Sequence, residues 1–299
     1  MTSFISMSVS ALLDPYKKLV EDALTKNLPY LGPQTKLKEA CSYALMSGGK
    51  RFRPALVFII AQALKRKIDV SLAAIAVEYF HTASLIADDL PCMDNDEERR
   101  NQQSVHKKYG QSIALLATYA LIAAGYRCLV ENARRIATSS HPLASQSDLI
   151  CTLAVENATY NTGLMGATGG QFLDLYPPDQ SLNTLLEVID KKTVSLFEIS
   201  FVLGWLFGGG AIGQLELVKK SAAHFGRAFQ IVDDLEDQQQ DKINLSSVNL
   251  VNKMGKNRAI ELFTQEVEQF DHTLENLALC SEELKALKAC MVNQVKKFC

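Results

Sequence analysis

Two short acidic clusters stand at the ends of apolar stretches: Asp88-Asp89-Leu90-Pro91-Cys92-Met93-Asp94, and Asp233-Asp234-Leu235-Glu236-Asp237. On a helix, positions i and i+4 share a face, so Asp233 and Asp237 fall one turn apart on the same side. In the first cluster Pro91 disturbs the helix, which is expected to let Asp94 return to the side of Asp88. Carboxylates gathered at the end of greasy helices repel one another and lose hydration unless cations neutralise them. Hard divalent ions meet that need. Mg²⁺ takes one or two carboxylates and keeps its remaining positions for water and phosphate oxygens. Two such clusters facing each other therefore suit a diphosphate held between them. Either cluster alone could be a solvated acidic helix end; two of them, each after an apolar helix, are less easily explained so. An EF-hand does not fit, because its glycine and spaced ligands are absent.

The complementary charge is local. Gly48-Gly49-Lys50-Arg51-Phe52-Arg53-Pro54 sets three cations beside a glycine pair whose backbone can approach an anion. Arg99-Arg100 follows the first acidic cluster, and Lys191-Lys192-Thr193 sits in a helical stretch. Arginine forks grip phosphate with two parallel hydrogen bonds, whereas lysine acts as a point charge. Each run alone is an ordinary charged surface; their meaning lies in the company of the carboxylates.

The elements that must position these groups are helical. Between Leu72 and Leu90 the apolar pattern is almost continuous, as in a helix buried on most sides. From Arg258 to Phe298 apolar residues recur every three or four positions, which predicts an amphipathic surface helix or pair. No series of period-2 segments joined by Asn-Gly or Asp-Gly turns is present, which argues against a β fold. Breaks fall at Gly48-Gly49, Pro91, Ser139 to Pro142, Pro177-Pro178, Gly208 to Gly213 and Gln238 to Asn249. They read as helix–helix loops rather than domain linkers. The expectation is an all-α bundle of roughly ten helices, forming one domain over residues 1–299.

Composition narrows the classes further. A net charge of −2 on 299 residues excludes strong steering toward nucleic acid or anionic membranes. The seven cysteines are scattered and odd in number, without a Cys-x-x-Cys pair. That argues against a zinc site or a disulfide framework and predicts a cytoplasmic protein. Residues Met1 to Ser10 lack a basic region leading into an apolar core, so no signal peptide is expected. The longest apolar runs, such as Ser195 to Gly210, are interrupted by Glu198 and by glycines, and no membrane span is expected.

Taken together, these residues resemble the trans-isoprenyl diphosphate synthase family. Ala44 to Pro54 (ALMSGGKRFRP) is similar to its first homology region. Phe80 to Arg100 (FHTASLIADDLPCMDNDEERR) resembles its first aspartate-rich motif, with the two-residue insertion of bacterial farnesyl and plant-type geranylgeranyl diphosphate synthases. Gly170 to Asp174 (GQFLD), Lys192-Thr193 and Phe229 to Asp237 (FQIVDDLED) complete the series in order. The resemblance implies an all-α prenyltransferase bundle around a deep central cavity, usually a homodimer. It implies that Asp88, Asp89 and Asp94 bind Mg²⁺ and through it an allylic diphosphate, with Asp233, Asp234 and Asp237 holding Mg²⁺ from the other side. Three ions are expected with substrate bound. Arg99, Lys192, Thr193 and Gln230 would touch the allylic diphosphate (dimethylallyl, geranyl or farnesyl). Lys50, Arg53, His81 and Arg100 would form the isopentenyl diphosphate site, and Gln171 and Asp174 would orient Lys192. His81 lies seven residues before Asp88, two turns down the same helical face.

The growing product should run along the helix carrying Asp88. Ala83 and Ser84 lie about one turn, ~5 to 6 Å, deeper, where family members that stop at fifteen carbons commonly place an aromatic residue. Small side chains there favour a C20 product, geranylgeranyl diphosphate, over farnesyl diphosphate. Three features depart from the family pattern. The stretch Gln238 to Val251 lacks the usual Gly-Lys and second lysine, with Lys242 as the candidate replacement. Asn101-Gln102-Gln103 replaces Gly-x-Pro, and Ala87 replaces a common histidine. They keep open a non-catalytic regulatory subunit, although such subunits typically lose aspartates from one motif and both are intact here. Terpene cyclases lack the Gly-Gly-Lys-Arg segment.

Overall fold

The computed structural model describes residues 9–238, 249–279 and 281–298. The expected breaks at Gly48-Gly49, Pro91, 139–142, 177–178 and 208–213 all separate elements. Two compact units result, each assembled from stretches that are not contiguous in sequence. One, Pro15–Thr159 with Leu203–Gly210, carries Asp88 and is called the first-motif unit. The other, Met1–Asp14, Tyr160–Val202 and Ala211–Cys299, carries Asp233 and is called the second-motif unit.

The first-motif unit is built on most of α1 (Val9–Asn27), on α2 (Lys36–Met46), α3 (Phe52–Ala63), α4 (Ser71–Asp88), α5 (Val105–Tyr109) and α6 (Gln111–Ala137), and on most of α7 (Ser147–Thr162). Helix α4 is buried on most of its surface, from Leu72 to Ile86, as its unbroken apolar run predicts. Its start is capped by a neighbour: Asn132 of α6 accepts a hydrogen bond from Ala73 N at 3.1 Å and donates to Asp69 O at 3.2 Å. Tertiary capping of this kind satisfies backbone donors that the helix cannot. Helix α6 is long and apolar enough to cross a membrane by length and composition alone, a property the interrupted apolar runs did not lead us to expect; 44 % of its apolar window is buried within the protein.

Among the described residues strand is confined to a hairpin, β1 (Glu98–Arg99) with β2 (Gln102–Gln103), pairing Glu98 with Gln103 and Arg99 with Gln102. The central residues Arg100 and Asn101 have φ of 54° and 61°. That is the left-handed geometry a two-residue hairpin needs. The hairpin is not legible in the sequence, because Arg-Asn carries none of the usual glycine signal.

The second-motif unit contains α8 (Ala167–Leu175), α9 (Leu182–Ile189), a π turn (Asp190–Val194), most of α10 (Ser195–Phe207), α11 (Leu215–Glu236), α12 (Leu250–Met254), α13 (Lys256–Asn276) and α14 (Glu282–Val295). The amphipathic C-terminal pair is present as α13 and α14. Phe197 and Phe201 of α10, Phe225 and Phe229 of α11 and Phe270 of α13 form an aromatic core with ring centroids 5.1–6.2 Å apart. Burying each such ring stabilises the unit by about 1.5–3 kcal/mol. Short polar residues begin the helices: Ser181, Asn249 and Ser281 each accept a backbone N–H from three residues ahead.

Candidate active site

Helix α4 ends at Asp88 because Pro91 has no N–H to continue it. The chain then folds back, Asp94 N donating to Asp88 O at 2.9 Å and Asn95 to Leu90 O at 3.1 Å. This return brings Asp94 beside Asp88, as the proline led us to expect. Asp88 is half-buried and Asp94 exposed. Asp89 is different. It is 2 % exposed, and its Oδ1 accepts from Arg99 Nε at 2.8 Å and Nη2 at 2.5 Å, while Arg99 also reaches Asp96 at 2.7 Å. Burial pushes the Asp89 carboxyl above its usual range, against the opposing pull of Arg99. Asp89 therefore fixes Arg99, a side chain that the family resemblance assigns to substrate.

Beside this turn the glycine pair and its cations divide their labour. Arg51, at φ 51°, turns inward instead of joining the exposed Lys50. It donates to Glu21 at 2.7 Å, to Glu78 at 2.5 Å and to Leu45 O at 2.5 Å. Arg100 donates to Gly48 O at 2.5 Å and lies 3.7 Å from Glu78. A Cβ at Gly49, whose φ is +110°, would come within 2.7 Å of Arg100 Cζ, so only glycine lets that guanidinium lie along the loop. His81 completes the group. Burial, then the charges of Arg53, Arg100, Arg51 and Arg99, hold it well below its ordinary pKa, and its Nδ1 is buried without a hydrogen-bond partner. Several guanidinium groups around a neutral imidazole form a site that favours a multiply charged anion. Two of its arginines, Arg51 and Arg100, have left-handed backbones, a strain that tends to concentrate at functional sites.

In the second-motif unit the Lys191-Lys192-Thr193 run is a π turn rather than ordinary helix. Such turns often mark functional positions. Lys192 Nζ pairs with Asp174 of α8 at 2.6 Å, the orientation expected of Asp174. Gly170 permits this approach, since a Cβ there would lie 2.5 Å from Lys192 N. Gln171, expected to help orient Lys192, does not: both of its amide atoms are buried and make no hydrogen bond. Thr193 donates to Gln230 at 2.8 Å, and Gln230 donates to Asp234 Oδ1 at 2.8 Å. Asp234 Oδ2 accepts Leu250 N at 2.6 Å, and its backbone oxygen accepts from Asn249 at 3.0 Å. At 3 % exposure, Asp234 anchors the start of α12 from inside the unit. Asp233 and Asp237 are both exposed, and Asp237 N donates to Asp233 O at 2.9 Å.

The accessible carboxylates are thus Asp88 and Asp94 in one unit and Asp233 and Asp237 in the other. All are hard oxygen donors. Among the described residues no three His, Cys, Asp or Glu side chains form a closed cage for an ion. The hard oxygen donors are the set that suits Mg²⁺, an ion that keeps much of its shell for water and phosphate oxygens. Ala83 is 1 % exposed, whereas Ser84 is half-buried and donates to His81 O at 2.9 Å. Lys242 lies outside the described residues, as do residues 1–8 of the N-terminal stretch. Glu78, the partner of Arg51, was not among the expected residues; a lone acid inside an apolar helix was its signal in the sequence.

Residues 34–248 match the family model for polyprenyl synthetase. Over 253 residues, 83 % of this chain, the protein is 36 % identical to the large subunit 1 of a heterodimeric chloroplastic geranylgeranyl pyrophosphate synthase from Arabidopsis thaliana, of which it covers 64 %. It is also 36 % identical to a farnesyl diphosphate synthase from Geobacillus stearothermophilus, over 77 % of this chain and 76 % of that one. Among solved structures, a FPP/GFPP synthase from Zymomonas mobilis superposes with a TM-score of 0.76 at 27 % identity, covering 96 % of this chain and 99 % of that one. The chain spans 59–64 % of the length of four of the plant relatives it matches.

Proposed function

The chain belongs to the polyprenyl synthetase family, and on that premise we propose that it condenses isopentenyl diphosphate with an allylic diphosphate. The observation that carries this reading is the return of Asp94 to the end of α4, beside a cation cluster built on Gly48-Gly49. Asp88 and Asp94, with Asp233 and Asp237, are the residues that would hold Mg²⁺. Bound there, the ion supplies positive charge to a departing diphosphate.

The chain's own residues do the rest. Lys192, set by Asp174, and Thr193, set by Gln230, would grip the allylic diphosphate, as would Arg99. Asp89 and Asp234 would act by fixing Arg99 and Gln230. Lys50, Arg53, Arg100 and neutral His81 would hold isopentenyl diphosphate as donors in a preorganised site. The allylic carbon–oxygen bond breaks with its electron pair leaving on the diphosphate. The double bond of isopentenyl diphosphate then attacks the resulting carbon cation, and the proton lost from the adjacent carbon passes to the departed diphosphate. Apolar walls would have to exclude water to protect the cation. No enzyme nucleophile is required.

Small side chains at Ala83 and Ser84 support a C20 product, geranylgeranyl diphosphate, with farnesyl diphosphate as the alternative. The relatives named above include synthases of both kinds. The working form in this proposal is a homodimer in the cytoplasm, and the free thiols of Cys41, Cys92, Cys128 and Cys151 suit a reducing compartment. The test is to incubate purified protein with isopentenyl diphosphate and each allylic primer, with and without Mg²⁺, and to weigh the products. We expect Mg²⁺-dependent release of diphosphate and a C20 chain. Failure to consume isopentenyl diphosphate with any primer would leave the regulatory-subunit reading in its place.

A further inference from the structure

We propose that Asp190 and Arg227 are positioning residues that lock the π turn, and with it Lys192 and Thr193, in the register that meets the allylic diphosphate. The inference rests on the reading of Lys192 and Thr193 given above and extends it to side chains that touch no substrate.

A π turn carries one residue more than the α-helix around it needs, and it occurs only rarely. Losing the extra residue would rotate the neighbouring side chains by about 100°, the angle of one helical residue. Something outside the turn must therefore hold it. Asp190 is its first residue, and Arg227 of α11 grips it through a two-pronged fork, Nε to Oδ1 at 2.7 Å and Nη2 to Oδ2 at 2.8 Å. One helical turn further along α11, Gln230 takes Thr193 at 2.8 Å. Residues i and i+3 share a helix face, so α11 holds the π turn near both ends.

Arg227 is itself backed by α13. Glu266 lies 3.6 Å from its Nη1, and His224 meets the other Glu266 oxygen at 2.6 Å. The Asp190 hydrogen bonds, followed after burial by the charges of Asp190 and Glu266, hold the Arg227 guanidinium above its ordinary range. The arrangement thus runs from α13 through α11 to the turn, and Lys192 lies between the two residues that α11 grips.

The experiment uses the full chain with Mg²⁺ and four proteins: wild type, Asp190→Asn, Arg227→Gln and the double variant. Binding of a non-reactive thiolo analogue of geranyl diphosphate is followed by calorimetry, and KM is measured for each substrate in turn. Misplacing a phosphate ligand should weaken analogue binding and raise the allylic KM about tenfold in each single variant, with the isopentenyl diphosphate KM within about twofold of wild type. Because both residues serve one lock, the double variant should be no worse than either single one. If Arg227→Gln fails to fold by thermal melting, Arg227→Lys replaces it, since lysine keeps the charge and loses the fork. Unchanged analogue affinity, an equal rise in both KM values, or additive losses would each overturn the lock. An active wild type with unaffected variants removes this inference alone. A wild type that binds neither substrate nor analogue removes the proposed function as well.

Discussion

Glu78→Gln should be the most damaging conservative change in the first-motif unit. Arg51 is 2 % exposed and Glu78 1 %, and the two meet at 2.5 Å. Burial works against the Arg51 charge, but Glu78 and Glu21 together outweigh it and keep the guanidinium ionised. Glutamine preserves shape while removing the only fully buried counter-charge, leaving Arg51 with Glu21, whose side chain is 27 % exposed. Removing one partner of a buried pair costs about 3–5 kcal/mol. The retained amide and Glu21 place this case near about 3 kcal/mol, which for a domain of a few hundred residues lowers Tm by about 6–12 °C. Thermal melting of Glu78→Gln, Arg51→Met and the double variant Arg51→Met/Glu78→Leu measures it. The double variant should recover most of the loss, because a well-packed apolar pair of similar volume is often as stable as the ions it replaces. A Glu78→Gln protein melting within about 2 °C of wild type would refute the reasoning, being below the effect of 1 kcal/mol. So would a double variant as unstable as the sum of its parts.

Three further outcomes follow from the same geometry. Gly49→Ala, with its Cβ 2.7 Å from Arg100 Cζ at a φ of +110°, should raise the KM for isopentenyl diphosphate about tenfold, roughly 1.4 kcal/mol, while the allylic KM stays near wild type; equal effects on both substrates would count against the assignment. Asp233→Ala should melt like wild type yet need far more Mg²⁺ for half-maximal turnover, whereas Asp234→Ala should lower Tm, since it strips the partner from Leu250 N and Gln230 at a cost of about 1–3 kcal/mol; the reverse pattern would exchange their roles. Ser84→Phe should shorten the product seen by mass spectrometry, and Ala83→Phe should chiefly destabilise, because overpacking a site only 1 % exposed costs about 1–3 kcal/mol; a C20 product from a stable Ser84→Phe protein would remove Ser84 from the argument.

What could be read from the sequence was whatever spacing alone determines. The burial of α4, the break at Pro91 with the return of Asp94, and the amphipathic pair α13–α14 depend on periodicity and on one missing N–H. Each is a local cause with a local effect. The roles that stayed hidden depend on which way a side chain turns after the helices have packed. Asp88 and Asp89 are neighbours of identical type, yet one ends the helix half-buried and the other is buried against Arg99, because adjacent helical residues point about 100° apart. Asp233 and Asp234 repeat the division, one exposed and the other anchoring α12. Each aspartate pair thus divides into one outward carboxylate and one inward tether, and only the packing of each helix end decides which is which. The same holds among the cations. Lys50 and Arg51 differ little as sequence, but the left-handed backbone at Arg51 sends its charge to Glu78 and leaves Lys50 exposed. A single sequence can thus assemble the membership of such a site, while the division between groups that touch a ligand and groups that hold them in place is a tertiary property.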